Sequence, residues 1–323
     1  MSPAASDTTS TPRKRRAFLW RGLQVVVTLC AFAYLYATVD RAALLRAASA
    51  VSAGTFLLCI AMGYLSYAVA VVRWRLLLRA FAAPAAPPLQ RLAKYYLIGA
   101  FYNTYLPGGV GGDVMRGLAS RDAFGPEGVT SALAVVLVER VMGMSALLLL
   151  MAAATFVDPL PGLAAPWLFA SIGLFASSSA VLGLMLARRV ATVMPAPLSG
   201  WLVRLPVPVN FGSLLAALPL SVACQVFPAL AGHALIAELS AAAHPMDSLV
   251  IIPFATSAAF LPFTLSGAGV REAIFVRLYA LVGVPGSAAL AASLGLWLSQ
   301  AIVAASGGVW SLLRPVNDGR DEA

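Results

Sequence analysis

The sequence predicts an all-α polytopic membrane protein, with about six transmembrane helices plus two re-entrant helical hairpins arranged as an inverted repeat. Three observations predict it. The 323 residues are 60% hydrophobic and 11% charged, with a mean hydropathy of +0.86, whereas charged residues supply about a quarter of a soluble domain. Six apolar stretches are long enough to cross a bilayer, which takes about 20 residues. Two shorter apolar stretches, one in each half of the chain, end in a Leu-Pro break followed by a glycine-rich turn.

Taken in order, residues 1–16 are polar and end in Arg13-Lys14-Arg15-Arg16, which reads as a disordered basic cytoplasmic tail. Residues 17–39 are long and lack a small-residue cleavage site before Asp40, so they read as a first span and not as a signal peptide. The second span is expected at 54–72. Residues 95–106 are too short to cross and stop at Leu106-Pro107; a polar-capped helix follows over 113–124, making a hairpin over 95–124. A third span at 129–157 closes a first membrane repeat, 17–157. The second repeat, 158–313, has the same plan: spans at 166–187 and 213–239, a hairpin over 248–284 broken at Leu261-Pro262, and a last span at 286–313. Residues 314–323 form a second cytoplasmic tail.

The distribution of basic residues gives the orientation. With a cytoplasmic N-terminus, seventeen Lys and Arg fall on cytoplasmic segments and two, Arg41 and Arg46, on outside loops. That is a strong positive-inside bias. It also accounts for the formal charge of +9 without a nucleic-acid partner. Three crossings per half is an odd number, so the second half lies inverted and the two hairpins enter from opposite sides. Interrupted segments at matching places in two inverted halves mark the midplane binding site of many secondary transporters.

The chemistry concentrates at the breaks. Backbone freed by Pro107 and Pro262, and by Gly111, Gly112, Gly267 and Gly269, is tolerated only inside protein or beside a polar cavity. Successive N–H groups in such turns form a concavity for anions, and Arg116 or Arg271 just behind them offers a fork for a phosphate. Asn103, ahead of the first break, can bond the freed backbone. Glu139-Arg140 lies within the third span, where a charge costs about 2.5–3.5 kcal/mol and normally faces a partner. Asp113 and Arg271 are the expected counter-charges. Arg271-Glu272 is a second pair of the same kind. Glu139, Asp113 and Glu272 are the candidate proton carriers, since no nucleotide motif is present.

Other polar residues are read as generic. Tyr95, Tyr96, Tyr102 and Tyr105 suit an interface belt, and Arg73, Arg75 and Arg79 suit lipid headgroups at the end of span two. Glu238 and Asp247 fall at the outer end of span five. His233 and His244 are isolated. Cys30, Cys59 and Cys224 have no ligand-like spacing. No metal site and no cofactor are expected.

Asn103-Thr104-Tyr105-Leu106-Pro107-Gly108, with Gly111-Gly112-Asp113-Val114-Met115-Arg116, Glu139-Arg140 and Gly267-Ala268-Gly269-Val270-Arg271-Glu272, resembles the signature of one membrane family. It is the lysylphosphatidylglycerol synthase transmembrane region, also described as flippase-like proteins, and the resemblance covers nearly the whole chain. It implies a bacterial cytoplasmic (inner) membrane protein. In the family's best-known members a membrane region like this one is joined to an aminoacyltransferase domain and is taken to move aminoacylated phosphatidylglycerol to the outer leaflet. This sequence ends ten residues past its last expected span, so the resemblance implies a stand-alone translocator-like region and not lysyl transfer. Stand-alone members are associated with polyprenyl-linked sugars, hopanoids or other envelope lipids. The second motif departs from a plainer Leu-Pro-Gly form by carrying Phe263-Thr264-Leu265.

The sequence therefore points to a flippase-like transporter of an anionic or lipid-linked envelope lipid. Two rivals differ in class. One is a membrane transferase using a polyprenyl-phosphate donor, for which Asp40 or Asp247 would supply the carboxylate; no Asp-x-Asp metal pair supports it. The other is a non-catalytic scaffold for a separately encoded lipid synthase.

Overall fold

In a computed structural model, the described residues are 11–82, 86–105, 111–160, 172–174, 176, 207–257 and 267–313. Apart from short turns and connections they are helical. In chain order the elements are α1 (Thr11–Thr38), α2 (Arg41–Ala50), α3 (Ala53–Ala82), α4 (Leu89–Tyr105), α5 (Gly111–Ala119), a 3-10 helix (Arg121–Glu127), α6 (Gly128–Val157), α7 (Phe211–Leu239), α8 (Pro245–Ser257), α9 (Val270–Leu281) and α10 (Gly286–Leu313). The protein is an all-α, multi-span membrane protein. Among the described residues four helices, α3, α6, α7 and α10, are long and apolar enough to cross a bilayer. The count is five if the α1–α2 pair, bent by 92°, is one span. The stretch expected as span four, 166–187, falls largely outside the described residues.

Local chemistry explains the helix ends. Asp40 caps α2 by accepting the Ala42 N–H at 2.9 Å. α2 was not foreseen; residues 41–50 were expected to be a plain outside loop. Asn210 caps α7 at Ser213 N, 3.0 Å. Pro245 opens α8, where its missing N–H costs nothing. α3 departs most from expectation. It runs ten residues past 72 because Leu77, Leu78, Ala80 and Phe81 continue its buried face, and the arginines expected to end it lie within it.

α4 and α5 fold back on each other, as do α8 and α9. In the first pair the backbones nearly touch: a Cβ on Gly112 would lie 1.8 Å from the Gly99 carbonyl oxygen, so only glycine permits this crossing. In the second pair Ser248 and Tyr279 meet across the open end.

The packing is reciprocal. α3 lies along α7. α10 packs on α4 as α6 packs on α8; α5 packs on α6 as α9 packs on α10; and α10 meets α3 as α6 meets α7. Exchanging α3–α6 with α7–α10 leaves this list of neighbours unchanged. The same 155-residue interval separates Pro107 from Pro262, Gly112 from Gly267 and Arg116 from Arg271. Two apolar clusters fill the interior. One, around Leu147, Leu235, Ile251 and Phe275, joins α6 to α7–α10. The other, around Trp74, Leu77, Leu92 and Val135, joins α3, α4 and α6.

Candidate functional site

The first break builds a charged site on four helices. Asn103, in the last turn of α4, accepts the Gly112 N–H at 2.9 Å and donates to Asp113 Oδ1 at 3.1 Å. One amide thus satisfies an orphan N–H of α5 and orients the carboxylate beside it. Asp113 lies in the first turn of α5, where the helix dipole favours a negative charge, and Arg116 is one turn behind it.

Arg116 sits at the centre. It donates to Asp113 Oδ1 at 2.7 Å and to Glu139 Oε2 at 3.1 Å. Glu139, on α6, also receives Arg73 of α3 at 2.6 Å and the Tyr96 hydroxyl at 3.4 Å. Asp113 also pairs with Arg140. The result is a ladder, Arg73–Glu139–Arg116–Asp113–Arg140, with three guanidinium groups and two carboxylates. Arg73, Glu139, Arg116 and Asp113 are all buried, whereas the Arg140 side chain is 32% exposed. The ladder is therefore buried over most of its length and reaches partial exposure at Arg140.

Aromatic rings complete the enclosure. The Arg116 guanidinium carbon lies 4.4 Å from the Tyr96 ring centroid and 5.2 Å from that of Trp74, close enough for cation–π attraction. Gln225 of α7 donates to the Gly143 carbonyl at 3.1 Å, tying the second half of the chain to α6 one turn beyond Glu139. Among the described residues the buried Nε of Arg73 and the Trp74 indole N–H meet no acceptor. Both are donors only.

The second break is simpler. Gly267 and Gly269 have φ of +79° and +80°, a conformation that favours glycine. A Cβ on Gly269 would also press on α1, 2.9 Å from Ala31 Cβ and 3.1 Å from the Thr28 carbonyl. Glu272 accepts the Gly269 N–H at 2.7 Å and pairs with Arg271. The counter-charge of Arg271 is thus its own neighbour; the expected meeting with Glu139 does not form, because Arg73 and Arg116 already fill that carboxylate. Pro107 and Pro262 lie outside the described residues, and Gly111 is the exposed first residue of α5.

Sequence reasoning missed three members of the site. Arg73 was assigned to headgroups and Tyr96 to an interface belt, and Trp74 was not singled out. The available signal was the apolar run after Arg75, which keeps the helix buried past its arginines. Tyr105 donates instead to the Ala301 carbonyl of α10 at 3.0 Å. Glu238 accepts the Ser52 N–H at 3.0 Å. The two carboxylates suggested for a transferase both serve helix starts, Asp40 at α2 and Asp247 at the His244 N–H, 3.0 Å away. Among the described residues no group of three or more His, Cys, Asp or Glu is placed to hold a metal ion.

The chain belongs to the family of the lysylphosphatidylglycerol synthase TM region, whose family model matches residues 22–307. No curated protein matches it.

Proposed function

We propose that this member of the family moves an anionic or lipid-linked envelope lipid between membrane leaflets. The observation that carries the reading is the ladder: a largely buried chain of five charged side chains, three of them arginines, between the first hairpin, α3 and α6. Burying charge without purpose is costly, and such groups in membrane segments commonly mark substrate pathways. The unsatisfied donors of Arg73 and Trp74 suit oxyanion contacts from a headgroup, and the half-buried Arg140 lies at the more exposed end of the same ladder. The acyl or polyprenyl tails stay in lipid while the headgroup passes beside α5 and α6.

The arrangement we propose for this work is six spans with two re-entrant hairpins in inverted halves, both termini cytoplasmic, in a bacterial inner membrane. The reciprocal packing and the constant 155-residue interval support it. So does the absence of charge from α10 and its scarcity in α6. A separately encoded lipid synthase is a fitting partner, since the family takes its name from the membrane region of one.

Leaflet-resolved lipid movement in proteoliposomes tests the reading, over anionic, aminoacylated and polyprenyl-phosphate lipids. Wild type is compared with Glu139→Gln and Arg140→Gln, each shown to be folded by thermal unfolding in detergent. Movement of one lipid class by wild type, lost in both variants, is the expected result. Folded wild type that moves none of them would sink the proposal, and turnover of a polyprenyl-phosphate donor would replace it with the transferase.

A further inference from the structure

The three carboxylates expected to carry protons are all occupied. Glu139 and Asp113 each hold two arginines, and Glu272 holds Arg271 and a backbone N–H. Among the described residues a different polar group takes part in no ion pair. His233 of α7, Ser248 of α8 and Tyr279 of α9 form a chain in which His233 Nδ1 lies 2.9 Å from Ser248 Oγ. That oxygen lies 2.8 Å from the Tyr279 hydroxyl and 3.4 Å from the His244 carbonyl oxygen. Ser248 and Tyr279 are 0% exposed, and His233 is half-buried.

A hydroxyl donates one hydrogen and accepts two. With a neutral ring protonated on Nε2, Nδ1 accepts the Ser248 hydrogen and Tyr279 donates to Ser248. When the ring takes a second proton, Nδ1–H must donate to Ser248. The serine hydrogen then turns to Tyr279 or to the His244 carbonyl. One proton on one ring therefore reverses the His233–Ser248 bond and redirects the serine hydrogen within a buried chain that joins three helices, two of them the arms of the second hairpin.

Charged and titratable groups stand on most of the elements packed around this chain. α8 brings Asp247, 7% exposed and adjacent to Ser248, as a counter-charge, and His244 precedes it. α9 brings Arg271 and Glu272, which neutralise each other, and Arg277 and Tyr279. α3 offers Cys59 at this level, with its own arginines at the opposite end. α6 carries Glu139 and Arg140, both in the ladder, and α10 carries no titratable side chain. Glu238, on α7 itself, accepts from Ser52. His233 is six residues from the end of α7, about 9 Å along the axis, so bulk water at that end is near.

We infer that His233 is a proton-binding site that couples the pH at the α7 C-terminal side of the membrane to the second hairpin. What the proton drives rests on the translocation reading; the site itself does not. Histidine is suited to this because its free pKa lies at about 6.5.

The test uses the full chain in nanodiscs with isotope-labelled histidine. There are two histidines, so His244→Gln leaves His233 as the sole signal while keeping the backbone groups of residue 244. The expected result is a ring that titrates between about pH 5 and 8, with a midpoint that moves in Ser248→Ala. In proteoliposomes, acidifying the α7 C-terminal side changes the translocation rate with one-proton steepness, at most about tenfold per pH unit. His244→Gln keeps that response and His233→Gln loses it. A ring that does not titrate, or a His233→Gln variant with the full pH response, overturns the inference. A ring that titrates in a protein moving no lipid at any pH supports the proton site and counts against translocation instead.

Discussion

Arg116 is the residue on which the candidate site depends, because among the described residues it alone pairs with both carboxylates and lies over two aromatic rings. Among the described residues Arg73 pairs with Glu139 alone. Removing one partner of a buried ion pair costs about 3–5 kcal/mol, since the other is left uncompensated. Arg116→Met is therefore expected to lower stability by at least that much, and by more than Arg73→Met, in thermal unfolding of the purified protein. Arg116→Lys is not a rescue: an ammonium is a point charge and does not span two carboxylates as a planar fork does. Equal losses for Arg73→Met and Arg116→Met would show that Arg116 does not bridge. At this scale Asp113, Arg116, Glu139 and Arg140 were legible in the sequence because charge stands out in an apolar chain. Their pairing was not, since it depends on which helix faces come together. Arg73 was hidden for a different reason. Arginine at the expected end of a span has an ordinary explanation, and only the burial of Leu77 and Leu78 beyond it removes that explanation.

Among the elements, the α4–α5 pair is held by backbone proximity more than by side-chain packing. Gly112→Ala places a methyl 1.8 Å from the Gly99 carbonyl oxygen, and neither backbone can yield alone. The helices must part, which lengthens both Asn103 bonds and the Asp113–Arg116 geometry that follows from them. A loss of about 1–3 kcal/mol is expected, the usual cost of overpacking, together with loss of lipid movement. Gly54→Ala is the control, because its nearest neighbour, Ser52 Oγ, is 3.8 Å away. If Gly112→Ala unfolds at the same temperature as Gly54→Ala, the close crossing is wrong. The expected extents of the helices at 129–157 and 286–313 agree closely with α6 and α10, since long apolar runs leave few alternatives. α2 was not legible: residues 41–50 are short, lack any buried side chain and form a helix because Asp40 caps them and α10 supports them. No hydropathy pattern records that support.

For the whole molecule the property at stake is the orientation of the two halves across the membrane. The paired breaks hinted at two related halves, but a match of a few glycines and prolines says nothing about which helices touch. The exchangeable neighbours of α3–α6 and α7–α10 say much more, because chance recurrence of a turn does not bring α10 to α4 and α6 to α8 together. An inverted arrangement makes a sharp demand: the open ends of the two hairpins must face opposite compartments. Gln90, at the start of α4, and Ala242, ahead of α8, are both exposed. Cys59 and Cys224 are buried and Cys30 is exposed, so a Cys30→Ser background leaves little reactive thiol. In that background Gln90→Cys is expected to react with a membrane-impermeant maleimide only from the cytoplasmic side and Ala242→Cys only from the outside. Labelling of both from one side would leave each half with an even number of crossings. The second half would then be parallel to the first, and both hairpins would enter from the same face of the bilayer, which a midplane site between inverted halves excludes.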